Sequence, residues 1–184
     1  MAKTITTPLD EKTARSLKAG DRVLIDGVIY TGRDAAHARL LEMAKKGEPW
    51  PLDLQDQIIY YVGPCPEKPG QVIGPAGPTT SGRMDLFTPA LLEKGLRGMI
   101  GKGSRSPQVV ETMKKVGAVY FVATGGAAAL IADRITASEL VAFGELGTEA
   151  IRRLVVKEFP VIVALDSDGN DLYKIGREKF RVAV

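Results

Sequence analysis

Hydroxyl and cationic side chains are concentrated in a glycine-rich stretch near the middle of the sequence. GPAGPTTSGRMD, at 74–85, places Thr79, Thr80 and Ser81 shortly before Arg83. An arginine guanidinium binds a carboxylate or a phosphate through two parallel hydrogen bonds, and a nearby hydroxyl can donate another. This combination of residues indicates a binding site for a small anion.

Two further cationic side chains occur at similar junctions. Arg33 follows YTG and directly precedes a predicted helix, and Lys102 lies with Arg105 in the loop IGKGSRS. The unpaired N–H groups and partial positive charge of a helix N-terminus also attract anions. The resulting predicted anion cradle, suited to a small diacid, consists of Arg33, Thr79, Arg83 and Lys102.

The glycine spacing matches neither of the common phosphate-binding motifs. A P-loop has Lys and then Ser or Thr after its last glycine, whereas Gly82 is followed by Arg83 and Met84. The dinucleotide-binding spacing is also absent, and Pro75 and Pro78 remove backbone donors. Because glycine and proline are the usual residues of tight turns, composition alone leaves a purely structural loop as an equal alternative.

Three glycine-rich loops, at 74–88, 101–106 and 124–127, have the same place in the predicted order of elements. Each follows an apolar strand-like run and precedes a helix-like one. In open α/β sheets, ligands bind beyond the carboxyl ends of the strands, where such loops lie together. The alternation predicts an α/β fold with a mixed, partly parallel sheet. No repeat or change of composition divides the sequence, so 1–184 is expected to form a single domain.

Helix signals divide the rest of the sequence. An amphipathic pattern begins at Asp34 and ends at Gly47. Ser-Pro and Thr-Pro pairs predict the starts of two later helices, with Ser106 and Thr88 as N-caps. A short helix is also predicted at 9–17.

Turn signals lie in two other places. Two β-rich runs flank Asp26-Gly27, which predicts a hairpin. DSDGND, at 166–171, resembles a calcium-binding loop, but Arg177 stands at the twelfth position, where such a loop has glutamate. A simple hairpin-type turn is therefore predicted there, followed by a polar segment.

The single cysteine, Cys65, and the single histidine, His37, limit the metal chemistry of the chain. One cysteine forms no internal disulfide, which favours a reducing compartment. Nor can it ligate an iron–sulfur cluster alone, since a cluster needs about three or four thiolates. A structural zinc site is equally disfavoured. The chain is predicted to bind no metal or cofactor of its own.

Charge and hydropathy argue against other classes of function. The formal net charge is +3 and the cations are dispersed, which favours acidic ligands over a nucleic-acid-binding arm. No apolar run approaches the roughly 20 residues of a membrane span, and MAKTITTPLDEK lacks the apolar core of a signal peptide. We expect a cytoplasmic protein with neither a nucleic acid nor a membrane as partner.

Several segments together resemble one enzyme family. YYVGPCPEKPGQVIGPAGPTTSGRMD, GRDAAHARL, IGKGSRS, ATGGAAAL and FPVIVALDSDGNDLY are similar to the β subunit of two-subunit class I fumarate hydratases. The related L(+)-tartrate dehydratase β subunit shares the pattern. The resemblance extends from LKAGDRV nearly to the end of the chain, and GPTTSGRMD is its most specific part.

The resemblance implies an active site shared between two subunits. Such enzymes are iron–sulfur hydro-lyases that add or remove water across a dicarboxylate, and cysteines of a partner α subunit hold their [4Fe-4S] cluster. The β subunit resembles a swivelling β/β/α domain and completes the dicarboxylate pocket within a heteromer, expected to be α2β2. The positions that match the family's dicarboxylate-binding residues are Arg33, Thr79, Arg83 and Lys102, the same four residues as in the anion cradle.

Thr79 is also the candidate for catalytic proton transfer, although a threonine hydroxyl is a weak base that needs an activating neighbour. Interconversion of fumarate and L-malate is the leading reaction, and conversion of L(+)-tartrate to oxaloacetate is the alternative. One sequence does not separate the two. From other classes of function, a non-catalytic module that binds small anions and a structural assembly subunit remain as rivals.

Some residues have a structural interpretation beside the functional one. Arg83 has the alternative of a surface ion pair with Asp85. His37 is expected to support the site rather than to act as a base, and Cys65 is expected to be structural. Gly125-Gly126 is open between anion binding and close packing.

Overall fold

One mixed sheet organises the protein, whose computed structural model describes residues 2–182. Its strands are β1 (Lys3–Thr6), β2 (Arg22–Thr31), β3 (Ile58–Tyr60), β4 (Gly98–Gly101), β5 (Val119–Val122), β6 (Ile135–Ala142) and β7 (Ile151–Leu165). Neighbouring strands follow the order β1-β2-β3-β4-β5-β7-β6, and β2 also pairs with β7, which closes five strands into a barrel. The helices are α1 (Glu11–Ser16), α2 (Asp34–Lys46), α3 (Thr88–Glu93), α4 (Pro107–Val116), α5 (Ala128–Ala132) and α6 (Leu172–Phe180), with 3-10 turns at Ser81–Met84 and Gly144–Glu149.

The four successive strands β2, β3, β4 and β5 are mutually parallel, whereas β7 runs antiparallel to both β2 and β5. The predicted α/β fold with a mixed, partly parallel sheet is confirmed. The connections between the parallel strands carry α2, α3 and α4. The loops that leave these strands therefore lie at one end of the barrel.

The side chains of β3 alternate between two cores. Ile58 and Tyr60 belong to one buried cluster with Phe121 and Phe159, whereas Ile59 belongs to a second cluster that includes helix residues. This division follows from the two-residue period of a strand. Because both faces are buried, the strand is a continuous apolar run rather than an alternating one.

The hairpin predicted at Asp26-Gly27 is wrong, because β2 continues through both residues. Its antiparallel partner is the long strand β7, and the register of this pair shifts between Ile25 and Gly27. Gly27 has φ +111°, and a Cβ there would lie 2.5 Å from Thr7 Oγ1. The Asp-Gly pair therefore forms a bulge, a feature that often uses a glycine of positive φ.

The helix prediction for α2 is confirmed at both ends, and that for α4 is confirmed at its start. Gly47 follows α2 in the left-handed region, and the Ser106 side chain accepts a hydrogen bond from the first turn of α4. Thr88, predicted as an N-cap, is instead the first residue of α3, and its hydroxyl donates to the Met84 carbonyl at 2.8 Å. The 3-10 turn that ends at Met84 continues almost directly into α3, so no extended cap residue separates them.

The end of the chain also differs from the prediction. The predicted turn at 166–171 is present, and the carboxylate of Asp166 accepts hydrogen bonds from the backbone N–H groups of Asp168 and Asn170. The turn leads into α6 rather than into a polar coil or another strand. In the part of the chain described here, no helix has both the length and the apolar character needed to cross a membrane.

Candidate anion-binding site

The TTSGR loop, residues 79–83, runs beside the end of β4. Thr80 and Lys102 form an isolated parallel bridge, in which the Lys102 N–H donates to the Thr79 carbonyl at 3.2 Å and the Ser81 N–H donates to the Lys102 carbonyl at 2.8 Å. The Thr79 N–H donates to the Tyr61 carbonyl at 2.7 Å, which ties the loop to the end of β3. Backbone hydrogen bonds therefore make Thr79 and Lys102 neighbours.

Close approach of the two loops depends on Gly101. A Cβ at that position would lie 2.0 Å from Ser81 Oγ. The hydroxyl of Tyr120 lies 2.8 Å from both Ser81 Oγ and the Gly103 carbonyl oxygen, so it can accept from the serine and donate to the carbonyl. These buried contacts fix the second half of the TTSGR loop onto the loop that carries Lys102.

Arg33 and Arg83 meet at the carboxylate of Asp34. Arg83 contacts it through two bonds, from Nε to Oδ1 and from Nη2 to Oδ2, each 2.9 Å long. Arg33 Nε lies 3.4 Å from the same Oδ2, and Arg33 Nη2 lies 3.3 Å from Glu149 Oε1. The surface ion pair considered for Arg83 thus forms with Asp34 rather than with Asp85.

Asp34 is ionised in this setting. Partial burial by itself would raise the pKa of Asp34, but a hydrogen bond from its own backbone N–H and the charge of Arg83 outweigh burial and lower the pKa. The Arg83 side chain is 51% exposed and that of Arg33 is 20% exposed, so one of the two arginines faces solvent much more than the other.

Lys102 differs from the two arginines in its surroundings. It is exposed, and no carboxylate among residues 2–182 lies within 4.0 Å of its ammonium group. The structure joins Thr79 to Lys102 through the backbone and Arg33 to Arg83 through Asp34. Since Thr79 and Arg83 share one short loop, the four predicted cradle residues lie in one region of the surface.

His37 contacts this region from inside the protein. Its ring is fully buried and lies edge-on to Tyr61, and its Nδ1 donates a hydrogen bond of 2.7 Å to the Arg33 carbonyl. Burial lowers the pKa of His37 to about 4, although the bond to the Arg33 carbonyl acts in the opposite direction. The neutral ring therefore touches the cradle through the backbone of Arg33, and its Nε2 is buried without a partner in the described structure.

Arg105, the second cation predicted for the Lys102 loop, is not placed to bind a ligand. Its side chain is 0% exposed, and the guanidinium carbon lies 5.3 Å from the centre of the Tyr61 ring and 5.0 Å from that of Tyr120. Its Nε donates to Asp85 at 2.7 Å and its Nη2 to Thr88 at 2.8 Å. Arg105 thus joins the loop after β4 to the start of α3.

The third glycine-rich loop lies beside Lys102. A Cβ on Gly125 would be 3.9 Å from Lys102 Cδ. The Ala76 N–H donates to the Ala128 carbonyl at 3.0 Å, and a Cβ on Gly77 would lie 3.1 Å from that of Ala128. Close packing therefore explains glycine at position 77 but not at Gly125, where a Cβ would make only an ordinary contact. Gly126 has open space where a Cβ would lie and φ +83°, so a turn of positive φ accounts for glycine there.

Cys65 is exposed, and its backbone N–H donates to the Pro75 carbonyl at 3.0 Å. Within residues 2–182, no group of three or more His, Cys, Asp or Glu side chains is placed to hold a metal ion.

Two carboxylates of this region were not predicted as site residues. Asp34 carries a local signal, because it directly follows Arg33 in the sequence. Glu149 has no such local signal, because it lies 114 positions after Ala35 in the sequence. In the fold its Oε2 accepts a hydrogen bond from the Ala35 N–H. Glu149 ends the 3-10 turn that connects β6 to β7, so its contact with α2 depends on the path of this connection.

Comparison with known proteins gives one consistent result. A family model described as Fumarase C-terminus matches residues 3–176. A Methanocaldococcus jannaschii protein named "Putative L(+)-tartrate dehydratase subunit beta" is 41% identical over 172 residues, which cover 90% of this chain and 88% of that protein.

Longer relatives carry other names. "Fumarate hydratase class I, aerobic" of Escherichia coli is 41% identical over 155 residues, and "Fumarate hydratase 2" of Leishmania major is 40% identical over 156 residues. The matches cover 83% and 84% of this chain but only 28% of each relative. The chain thus spans little more than a quarter of these two fumarate hydratases.

Proposed function

Because the chain belongs to the fumarase C-terminus family, we propose that it is the β subunit of an iron–sulfur hydro-lyase that interconverts fumarate and L-malate. The observation that carries the proposal is the pair of arginines on Asp34 beside the Thr80–Lys102 bridge, which makes Thr79 a neighbour of Lys102. These side chains offer three cations and a hydroxyl in one region, which suits a substrate with two carboxylates.

Class I fumarate hydratases depend on an iron–sulfur cluster, and the residues of this chain do not fit one. A cluster needs about three or four cysteine thiolates, whereas the sequence has one cysteine. We therefore assign the [4Fe-4S] cluster to a partner α subunit in an α2β2 assembly, where it would supply a Lewis acid for the leaving hydroxyl. The site on this chain is then the dicarboxylate-binding half of a composite active site.

The chain's own residues act on the carboxylates. Formation of fumarate from L-malate removes a proton from the carbon next to one carboxylate, while hydroxide leaves the adjacent carbon and the double bond forms between them. Negative charge develops on that carboxylate as the proton leaves. Arg33, Arg83 and Lys102 stabilise this charge, and the N–H groups of the two arginines are already oriented by Asp34 when it appears.

Thr79 is the proposed proton-transfer residue. Its side chain is only partly buried, and its hydroxyl makes no hydrogen bond to any residue in 2–182. A threonine hydroxyl is too weak a base to act without an activating neighbour. We propose that the partner subunit supplies that neighbour when the two chains assemble.

L(+)-tartrate is the second candidate substrate. It is favoured by the near full-length match to the relative named as a tartrate dehydratase β subunit. Loss of water from tartrate gives an enol that rearranges to oxaloacetate, and tartrate carries the same two carboxylates. The cradle suits either substrate, so the additional hydroxyl of tartrate must be recognised by other groups.

The test is expression of the chain together with its partner α subunit under anaerobic conditions, with fumarate, L-malate and L(+)-tartrate assayed separately. We expect hydration of fumarate and, as the reverse reaction, dehydration of L-malate. Activity on tartrate alone would identify the second candidate. A complex that contains a full cluster and turns over none of these substrates would leave the chain as a non-catalytic anion-binding module.

A further inference from the structure

We propose that Asp34 is a positioning residue, whose carboxylate holds the guanidinium groups of Arg33 and Arg83 in the orientation in which both bind one dicarboxylate. The inference rests on the proposed function for the identity of the ligand. It rests on the geometry for the role of Asp34, which bonds both arginines and is not itself one of the four cradle residues.

The contact with Asp34 uses only one edge of the Arg83 guanidinium. A guanidinium has five N–H groups in a fixed plane, and Asp34 receives one from Nε and one from Nη2. The opposite edge, formed by Nη1 and the second hydrogen of Nη2, is left for a second carboxylate. Asp34 thus fixes the plane of the group and leaves a complete two-bond edge for the substrate.

Arg33 has more contacts than Arg83 and is less exposed, although its ion pairs are longer. Asp34 contacts its Nε, Glu149 contacts its Nη2, and a Cβ on Gly63 would lie 2.8 Å from its Nη1. Glu149 also accepts the Ala35 N–H, so the same side chain binds the first turn of α2. Arg33 therefore has two carboxylate contacts, whereas Arg83 depends on Asp34 alone among the described residues.

The half-exposed position of Arg83 gives this contact its importance. A long side chain that is mobile in solvent loses conformational freedom when it binds a ligand, and that loss weakens binding. Asp34 restricts the Arg83 side chain before the ligand arrives. The contribution of Asp34 is thus expected in substrate affinity more than in the stability of the fold.

An opposite role for Asp34 would give the opposite result. If its carboxylate only competed with the substrate for Arg83, its removal would strengthen substrate binding and lower KM. If it positions the arginines, its removal leaves their charge in place but loosens their geometry, and KM rises. The direction of the change in KM decides between these roles.

Asp34→Asn in the complex with the α subunit is the first test. We expect kcat/KM to fall by about tenfold or more, with the increase in KM as the larger part. Asp34→Glu, which keeps the charge, should recover part of the loss. Asp133→Asn is the matched control, because Asp133 is exposed at the end of a helix and makes no ion pair within residues 2–182. An unchanged or lower KM in Asp34→Asn would overturn the proposal.

A second measurement does not depend on activity. The Nε–H signals of Arg33 and Arg83 can be followed by 15N NMR in the full chain and assigned with the corresponding lysine variants. Hydrogen-bonded guanidinium groups exchange slowly with water, so we expect both signals in the wild-type chain. Asp34→Asn should broaden or remove both signals, whereas Glu149→Gln should affect Arg33 only.

The NMR measurement separates the two proposals. If the wild-type complex has no hydro-lyase activity but Asp34→Asn removes both arginine signals, the proposed function fails and the positioning role stands. If both signals persist in Asp34→Asn, Asp34 does not hold the arginines. The same conclusion follows if the Arg83 signal is lost in Glu149→Gln but kept in Asp34→Asn.

Discussion

The imidazole Nδ1 of His37 lies 2.7 Å from the carbonyl oxygen of Arg33, one helical turn earlier in the chain. A carbonyl oxygen only accepts hydrogen bonds, so Nδ1 must carry the proton, and the other ring nitrogen is unprotonated in the neutral ring. The one histidine of the sequence is thus fixed in one tautomer beneath a predicted substrate-binding residue.

The burial of His37 predicts how stability depends on pH. Burial lowers the pKa of His37 from 6.5 to about 4. Between pH 6.5 and pH 4, therefore, His37 is mostly protonated in the unfolded chain and mostly neutral in the folded chain. The contribution of neutral His37 to the free energy of unfolding is therefore fully present above pH 6.5 and decreases as the pH is lowered. We expect a loss of about 2 kcal/mol between pH 7 and pH 5, measured by urea unfolding. His37→Asn should be less stable at pH 7 but should lack most of this slope. An equal slope in both proteins would contradict the prediction.

Arg83→Lys should lose most of the activity of the assembled enzyme. Lysine keeps the positive charge. Its ammonium group, however, lacks the two edges of a planar guanidinium, with which Arg83 can bind the Asp34 carboxylate and a substrate carboxylate together. We expect kcat/KM to fall by about 100-fold, corresponding to about 3 kcal/mol. Arg39→Lys is the control, since Arg39 is an exposed residue of α2 with only long ion-pair contacts of 3.7 and 3.8 Å. Near-normal turnover of Arg83→Lys would place Arg83 outside the substrate site.

Substitutions at the two threonines should have different effects. The backbone bridge aligns Thr79 and Thr80 with Lys102, but Thr80 is exposed and Thr79 is partly buried. Thr79→Ala should reduce turnover strongly, whereas Thr79→Ser should retain much of it because the hydroxyl remains. Thr80→Ala should change stability by no more than about 0.5 kcal/mol and leave kinetics near normal. The measurement is steady-state kinetics at equal cluster content, and loss of activity only in Thr80→Ala would reverse the assignment.

Arg105→Met should destabilise the chain. The buried guanidinium neutralises Asp85 and lies between two tyrosine rings, so its removal leaves a carboxylate with little exposure and no cation. The expected cost is about 3–5 kcal/mol, measured by chemical unfolding. Arg134→Met is the matched control, because its ion pair with Glu158 is half-exposed and should contribute at most about 1 kcal/mol. Similar stabilities of the two variants would show that the Arg105 pair is not important for folding.

Local sequence patterns were sufficient to find the loops and most helices of this region. The cradle residues lie in short motifs at strand ends, and the strand–helix alternation determines where those ends meet. The same patterns could not show that Arg105 is buried, because Lys102 and Arg105 share one loop and only the tertiary contacts with Tyr61 and Tyr120 separate them.

Long-range pairing explains the other differences from the sequence predictions. Asp26-Gly27 suits a hairpin turn and a bulge equally well, and the choice depends on β7, which lies more than a hundred positions later. The contact of Glu149 with Arg33 likewise depends on the path of the chain between β6 and β7. Neither partner can be found from residues near the motif.

The bridge between Thr80 and Lys102 restricts how this site can be altered by protein engineering. Its hydrogen bonds pair the two loops residue by residue, so an insertion or deletion in either loop would displace a threonine relative to the lysine. Changes in loop length, which are often used to enlarge a binding site, would therefore destroy this one. A variant that accepts a longer diacid must instead keep the number of residues in both loops and exchange individual side chains around them.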